Sequence, residues 1–301
     1  SGSCIVNNKK LIEKTKQILI KINMSSVVNP IYLGTRGTPF KTLISGLLTK
    51  GRVAPKYIQI LTDEEGMKLY SQAFTASSAN PAFNYEIFEQ LGDLCVNQFI
   101  VWYVYRRFPQ LFCPLGVKVA ARLRINYGAK GNLYMIADRL KFWEYISASQ
   151  EQRDTNKKDL LEDTMESFCG VTAYILDQRT RPGVGYAIVY DILKDIFDNL
   201  PMSLAYEDLY DPKTRLKETF DRFKSDIGEV KYTYEKNDNG TKALVWSVPY
   251  KGAVNKDWIF LASDNALAKK DAEKKAASKA IISLKERGYY KEPPDEYKFF
   301  Q

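Results

Sequence analysis

Glu86, Glu89 and Asp93 stand at i, i+3 and i+7. On a helix that advances about 100° per residue they fall within about 60° of one another. Like charges placed this way repel. Acids in a first helical turn complement the macrodipole, which accounts for Glu86 and Glu89 but not for Asp93, two turns further in. Phe88, Leu91 and Val96 flank Asp93 and predict a mostly buried helix, where a carboxylate needs a partner. A second pair, Asp163 and Glu166, stands at i and i+3 with Glu162 adjoining. The chain contains no histidine. That excludes Ser-His-Asp and Cys-His nucleophiles, His-containing zinc sites and His acid–base nucleases. Acids on two helices without an imidazole suit Mg²⁺, which prefers oxygen ligands and keeps some of its water. On spacing alone, a solvated acidic helix surface is the competing reading.

Two glycines bear on that choice. Gly92 lies inside the first acid-bearing helix, and Gly170 follows Glu166 by about one turn. Each costs its helix roughly 1 kcal/mol against alanine. A close approach of the two helix backbones explains both and brings the acid sets together.

The elements that must carry these residues can be read from periodicity and punctuation. Thr38-Pro39 opens a helix with proline in its first turn. Thr62-Asp63-Glu64-Glu65 reads as a capping box before a helix ending near Phe74. Asn84 caps a long helix over 85–107, which Pro109 follows. Further helical patterns cover about 117–126, 131–148, 157–177 and 185–199, and no strand alternation precedes residue 205. After Pro201 the pattern changes. Asp211-Pro212 starts a helix over about 213–225; strand-like runs follow at 230–235, 243–249 and 258–262, with Asp238-Asn239-Gly240 as a hairpin turn. A helix over about 266–287 closes an α-β-β-β-α module. The short glycine pairs Gly34/Gly37 and Gly183/Gly185 read as turns, and Trp102, Trp143, Trp246 and Trp258 as core.

Composition sets the frame. The 301 residues are 45% hydrophobic and 27% charged, as expected of a globular chain. The longest apolar stretch, 99–105, is far short of the ~20 residues of a membrane helix. Cys4, Cys95, Cys113 and Cys169 show no C-x-x-C pairing and read as free thiols of an intracellular, cytoplasmic protein. Ser1-Gly2-Ser3 lacks an initiating Met and reads as the scar of a cleaved tag. The net charge of +8 favours a polyanionic partner.

Glu86-Ile-Phe-Glu89-Gln-Leu-Gly92-Asp93 resembles the ribonuclease III signature E-x-x-E-x-L-G-D. Asp163-Thr-Met-Glu166, running on to Gly170 and Tyr174-Ile-Leu-Asp177, resembles the second motif of that family, and Ala73-Phe-Thr-Ala-Ser-Ser78 the segment before the signature. Asp211-Pro-Lys-Thr-Arg-Leu216 resembles the entry into the family's RNA-binding domain. The resemblance covers roughly 60–290. It implies an all-α ribonuclease III domain over 30–205, a linker at 206–212 and a small α+β double-stranded RNA-binding domain over 213–290. An N-terminal extension, 1–29, and a loose tail, 291–301, complete the chain. Glu89, Asp93, Asp163 and Glu166 match the catalytic, metal-binding carboxylates, and Glu86 an auxiliary acid. The implied cofactor is Mg²⁺, with Mn²⁺ able to substitute. The implied partners are double-stranded RNA and a second copy of the chain, with no membrane. The implied reaction leaves 5′-phosphate and 3′-hydroxyl ends with short 3′ overhangs. Three positions depart from the family: Ala76 replaces a usual His, Gln90 an aromatic that packs into the partner subunit, and Phe112-Cys113-Pro114 lacks an auxiliary Glu.

The stretch from Ala268 to Ala277 resembles the K-K-x-A-E-x-x-A-A motif of double-stranded RNA-binding domains. An independent argument points the same way. Lys269 and Lys270 fall in the first turn of a helix that Ser263, Asp264 or Asn265 can cap. Cations there oppose the macrodipole unless a phosphate sits at that end. Ala272, Ala276, Ala280 and Leu284 form its buried stripe, leaving Lys270 and Lys274 outward. In the first helix of the module, Thr214 and Glu218 match positions that commonly face the minor groove. A non-catalytic RNA-sequestering protein on the same scaffold is the alternative function. Such proteins usually lose acids of the tetrad, and all four are present here.

Overall fold

The computed structural model describes residues 29–300 apart from 129, 239, 253 and 255. The expected N-terminal extension, Cys4 and the hairpin's Asn239 therefore lie outside the described residues, save Asn29. The chain divides into two compact units, one from 1–100 and 127–199, the other from 101–126 and 200–301.

The first unit is helical. Its elements are strand β1 (Ile31–Tyr32), helices α1 (Thr38–Lys50), α2 (Pro55–Leu61) and α3 (Glu64–Ala73), the greater part of α4 (Glu86–Arg107), α6 (Lys130–Arg139), β2 (Ala148–Ser149), α7 (Gln150–Thr155), α8 (Lys157–Arg179) and α9 (Val184–Asp198). Local chemistry sets several of these ends. Asp63, rather than Thr62, caps α3 by accepting from the Gly66 amide at 2.7 Å, while Thr62 back-bonds to Ile58 and closes α2. Asn84 accepts from the Glu86 amide at 3.1 Å and starts α4 as expected. Asp177 accepts from the amides of Gly183 and Gly185 and starts α9. Gly183, at φ 94°, is a true turn residue. Gly185 is not a turn: a Cβ on it would lie 2.2 Å from the Ala173 carbonyl oxygen, so it lets α9 pack on α8.

Two expectations for this unit are corrected. The helix expected over 131–148 stops at Arg139, and Lys141 turns the chain at φ 64°. Its continuation is claimed by distant partners: the Thr35 amide takes the Glu144 carbonyl, Arg36 takes that of Tyr145, and Ser147 bonds the Phe74 carbonyl. Helical periodicity carries no trace of such long-range bonds. The same tie pairs β1 with β2, antiparallel, where no strand was expected.

Helix α8 forms the centre of this unit. Nearly every residue from Leu160 to Leu176 is buried. An aromatic chain runs through the core from Phe40 to Phe74, Phe142, Phe168 and Tyr70, with ring centroids 4.9–5.9 Å apart. The crossing of α4 on α8 is the closest packing. A Cβ on Gly92 would lie 1.8 Å from the Glu166 carbonyl oxygen; a Cβ on Gly170 would lie 1.9 Å from that of Phe88. The two glycines face each other across the crossing, as the sequence predicts.

The second unit contains the end of α4, helix α5 (Val117–Gly128, to Asn126), α10 (Tyr206–Leu209), α11 (Pro212–Arg222), α12 (Lys224–Ile227), strands β3 (Glu229–Asn237), β4 (Gly240–Val248) and β5 (Ile259–Ala266), α13 (Lys269–Glu286) and α14 (Asp295–Phe299). The strands form one antiparallel sheet in the order β3-β4-β5. Leu216, Phe220, Val245 and Leu261 pack there against the alanine stripe Ala272, Ala276 and Ala280, with Leu284. The segment expected as a plain linker carries α10, with Tyr206 and Leu209 buried. Arg122 and Asn126 of α5 both donate to the Leu209 carbonyl, which is why 117–126 groups with this unit. The expected loose tail holds α14, and Tyr297 within it is 1% exposed, bonded to Tyr210. Trp102 and Trp258, expected in the core, are 48% and 47% exposed.

The crossing makes a prediction that opposes helix propensity. Gly92→Ala and Gly170→Ala should each destabilise the protein by about 1–3 kcal/mol through overpacking, although alanine is the better helix former by roughly 1 kcal/mol. Gly46 of α1, where a Cβ meets nothing within 4 Å, is the control and should gain stability as Gly46→Ala. Denaturant unfolding checks all three; a gain at position 92 or 170 would contradict the close crossing.

Candidate active site

The crossing of α4 and α8 assembles the acids. Glu89, Asp163 and Glu166 each offer one carboxylate oxygen, and these oxygens lie within 4.8 Å of one another. Glu89 sits one turn before Gly92 on α4; Asp163 and Glu166 sit one turn apart on α8. Glu166 is 8% exposed and Glu162, one turn before it, is 4% exposed. Glu86 lies in the exposed first turn of α4.

Asp93 departs from expectation. It is exposed rather than buried, and its oxygen is not among the three that converge. The Asn97 amide, one turn further along α4, donates to its Oδ1 at 2.8 Å and to its carbonyl at 2.9 Å. Asp93 nevertheless counts among the charges that act on Glu166. Burial first, and then the charges of Glu162, Asp93, Glu89 and Asp163, push the Glu166 carboxyl up to about 8.

One polar group of the cluster was not legible from acid spacing. The Tyr85 hydroxyl donates to Asp163 Oδ2 at 2.8 Å. Tyr85 is 4% exposed. Burial, then Asp163, then the charges of Glu89 and Glu86 raise its phenol far above the ordinary value, so it stays a donor. Its only sequence signal is its place beside Asn84 at the mouth of the acid helix.

The donor set fits a hard divalent cation. It consists of carboxylate oxygens, with no sulfur or imidazole, and after burial the charges of Glu89 and Asp163 help raise the proton affinity of Glu166, a repulsion that a cation relieves. Glu89, Asp163 and Glu166 are the residues that would hold it.

The second unit carries the basic residues. Helix α13 begins at Lys269 after Ala268, which offers no side-chain cap; the expected caps Ser263, Asp264 and Asn265 belong to β5 instead. Among the described residues no N-cap side chain accepts from the first-turn amides, and Lys269 and Lys270 beside them are exposed. Lys269 lies 3.8 Å from the centroid of the Tyr234 ring. Lys274 is exposed and pairs with Asp211 at 3.4 Å. Thr214 of α11 is exposed. Glu218 is engaged within the unit: it accepts from the Tyr206 hydroxyl and pairs with Lys291. Buried Glu273 accepts from Tyr234 at 2.7 Å and pairs with Lys213, which ties α13, β3 and α11 into one frame.

No family model matches the chain. A protein of Invertebrate iridescent virus 6, provisionally named ribonuclease 3, is 40% identical over 283 residues, 90% of this chain and 96% of that protein. The ribonuclease 3 of Bacillus cereus strain G9842 is 28% identical over 253 residues, 79% of this chain and 95% of its own. Among solved structures, the nuclease domain of ribonuclease III from Campylobacter jejuni is 22% identical with a TM-score of 0.39, covering 49% of this chain and 99% of its own. Dicer from Pichia stipitis is 18% identical with a TM-score of 0.34, covering 73% and 93%. Among the described residues no helix is long and apolar enough to cross a membrane. With 40% identity across nearly the whole of both chains, and the acid motifs gathered at one helix crossing, the chain belongs to the ribonuclease III family.

Proposed function

We propose that the chain is a Mg²⁺-dependent endonuclease of double-stranded RNA, leaving 5′-phosphate and 3′-hydroxyl ends with short 3′ overhangs. The convergence of Glu89, Asp163 and Glu166 carries this reading. Those three acids would hold a divalent cation, which would supply activation of a water and charge compensation at the scissile phosphate and leaving oxygen. Asp93 and Glu86 would add negative charge from α4, the helix that carries Glu89. Asp93 completes the expected tetrad once its carboxylate leaves Asn97. Within the second unit, residues 213–290 act as the double-stranded RNA-binding domain. Its three-stranded sheet and two main helices suit recognition by A-form shape, and the α13 N-terminus with Lys269 and Lys270 suits a phosphate. Lys274 and Thr214 are exposed and able to join them, whereas half-buried Glu218 is engaged by Tyr206 and Lys291.

A homodimer completes the reading. Ile87, Leu91 and Leu94, at i, i+4 and i+7 of α4, are 60%, 37% and 65% exposed. Apolar residues on a helical face seldom stay in water without a partner. A second copy placed there would bring a second acid cluster to the opposite RNA strand.

Glu166→Gln should abolish cleavage of a long RNA duplex in Mg²⁺ while leaving duplex binding, which rests on phosphate contacts, near wild type. Turnover within about tenfold of wild type, the scale of a dispensable interaction, would contradict the assignment. Paired Lys269→Ala and Lys270→Ala should weaken binding of all duplex sequences alike. The log–log salt slope should fall by about 1 for each phosphate that the variant no longer neutralises. Binding measured at several salt concentrations checks this, and an unchanged slope would make the two lysines a merely solvated face.

Glu166 also predicts a pH effect on the metal-free protein. Its folded value, about 8, lies above the unfolded value of about 4.3. The folded state therefore holds a proton that the unfolded state releases. This group's stabilising contribution is full below about pH 4.3 and is lost as pH rises to about 8. Glu166→Gln should flatten that part of the stability profile and raise the metal-free melting temperature at pH 8. An unchanged profile would contradict the raised Glu166 carboxyl.

A further inference from the structure

We propose that Tyr85 is a positioning residue of the acid cluster, its hydroxyl holding the Asp163 carboxylate in the orientation that reaches a divalent cation. The proposal rests on reading Glu89, Asp163 and Glu166 as the metal-holding set.

Tyr85 is clamped along its whole length. Its amide donates to the Thr75 carbonyl at 2.9 Å. Its own carbonyl accepts from the amides of Phe88 and Glu89 at 2.8 and 2.9 Å, fixing the first turn of α4. The Ser167 hydroxyl, on α8, also donates to that carbonyl at 3.4 Å. The ring is buried, and the hydroxyl ends on Asp163 Oδ2. One residue thus grips α8 twice, by main chain at Ser167 and by side chain at Asp163. It does so from the turn that carries Glu89.

A carboxylate held at one oxygen cannot rotate about its last bond without breaking that hydrogen bond, so its second oxygen keeps a narrow range of positions. The donor is a neutral phenol. It orients Asp163 without cancelling the negative charge that attracts a cation, which an ammonium or guanidinium in its place would do. Asp93 supplies the contrast within the same structure. Its exposed carboxylate is held by the Asn97 amide of its own helix, and it stays outside the converging set. The acid gripped from the opposite helix converges; the acid gripped from its own helix does not.

The test uses the full chain with Tyr85→Phe, which keeps the ring and removes the hydroxyl. Mn²⁺ binding without RNA is followed by calorimetry beside wild type and Glu166→Gln. Losing an orienting partner of a metal ligand typically weakens affinity about ten- to a hundredfold. That loss is expected for Tyr85→Phe, while cleavage at saturating Mn²⁺ returns to near the wild-type rate. Wild-type Mn²⁺ affinity in Tyr85→Phe would overturn the proposal and leave the metal site standing. Equal Mn²⁺ binding by wild type and Glu166→Gln would overturn the metal site and the proposal with it. A ring-fluorinated tyrosine at position 85 alone gives a second measurement that keeps the hydroxyl and does not depend on how the phenylalanine variant folds. Its fluorine resonance is expected to shift as Mg²⁺ is added. An unmoved resonance in a protein that binds Mg²⁺ would overturn the proposal.

Discussion

The close crossing of α4 on α8 is the constraint on which the rest depends. At Gly92 and Gly170 the two backbones lie too near for any Cβ to fit between them. Both glycines cost helix propensity, and both helices are kept continuous through the crossing by their packing on the core. The gain is positional. Glu89 stands one turn from Gly92, and Glu166 one turn from Gly170, so the approach of the backbones sets the approach of the carboxylates. A separation wider by one side chain would leave two ordinary acidic helix faces.

The rest of the first unit holds that crossing in place. Helix α8 is buried along most of its length, which denies it lateral freedom. Asp177 at its far end caps α9, and Gly185 lets α9 lie against it. On the other side, Tyr85 and Asn84 fix the start of α4, and the Tyr85 amide is anchored to Thr75. A rigid frame is what a repulsive cluster requires. Acids free to move apart would do so, and the convergence of Glu89, Asp163 and Glu166 within 4.8 Å shows that these are held together. The second unit follows the same logic with opposite charge. Glu273, Tyr234 and Lys213 lock the helices and sheet together, and the uncapped start of α13 is left facing two lysines.

How much was legible follows from the range of each interaction. Caps, punctuation and acid spacing are local, so α1, α3, α4, α8 and the three-stranded sheet were readable within a few residues. The glycine crossing was readable too, because an unfavourable residue inside a helix demands a reason. What escaped was long-range. The break at Lys141 and the β1–β2 pair depend on bonds to Thr35, Arg36 and Phe74, far away in sequence. The tail helix is held by Tyr297 on Tyr210, and α5 is held by one carbonyl at Leu209. The exposure of Asp93 and its bond from Asn97 are not legible, because helical spacing gives the direction of a side chain but not the neighbour that captures it. Tyr85 escaped because a lone tyrosine beside an acid motif has no distinctive spacing.

The helix crossing brings Glu89, Asp163 and Glu166 together as the proposed divalent-cation site. The most direct measurement is anomalous scattering from crystals of the protein soaked in Mn²⁺. A manganese peak coordinated by carboxylate oxygens of those three residues is expected. Ordered crystals with manganese bound elsewhere, and none among these carboxylates, would contradict it.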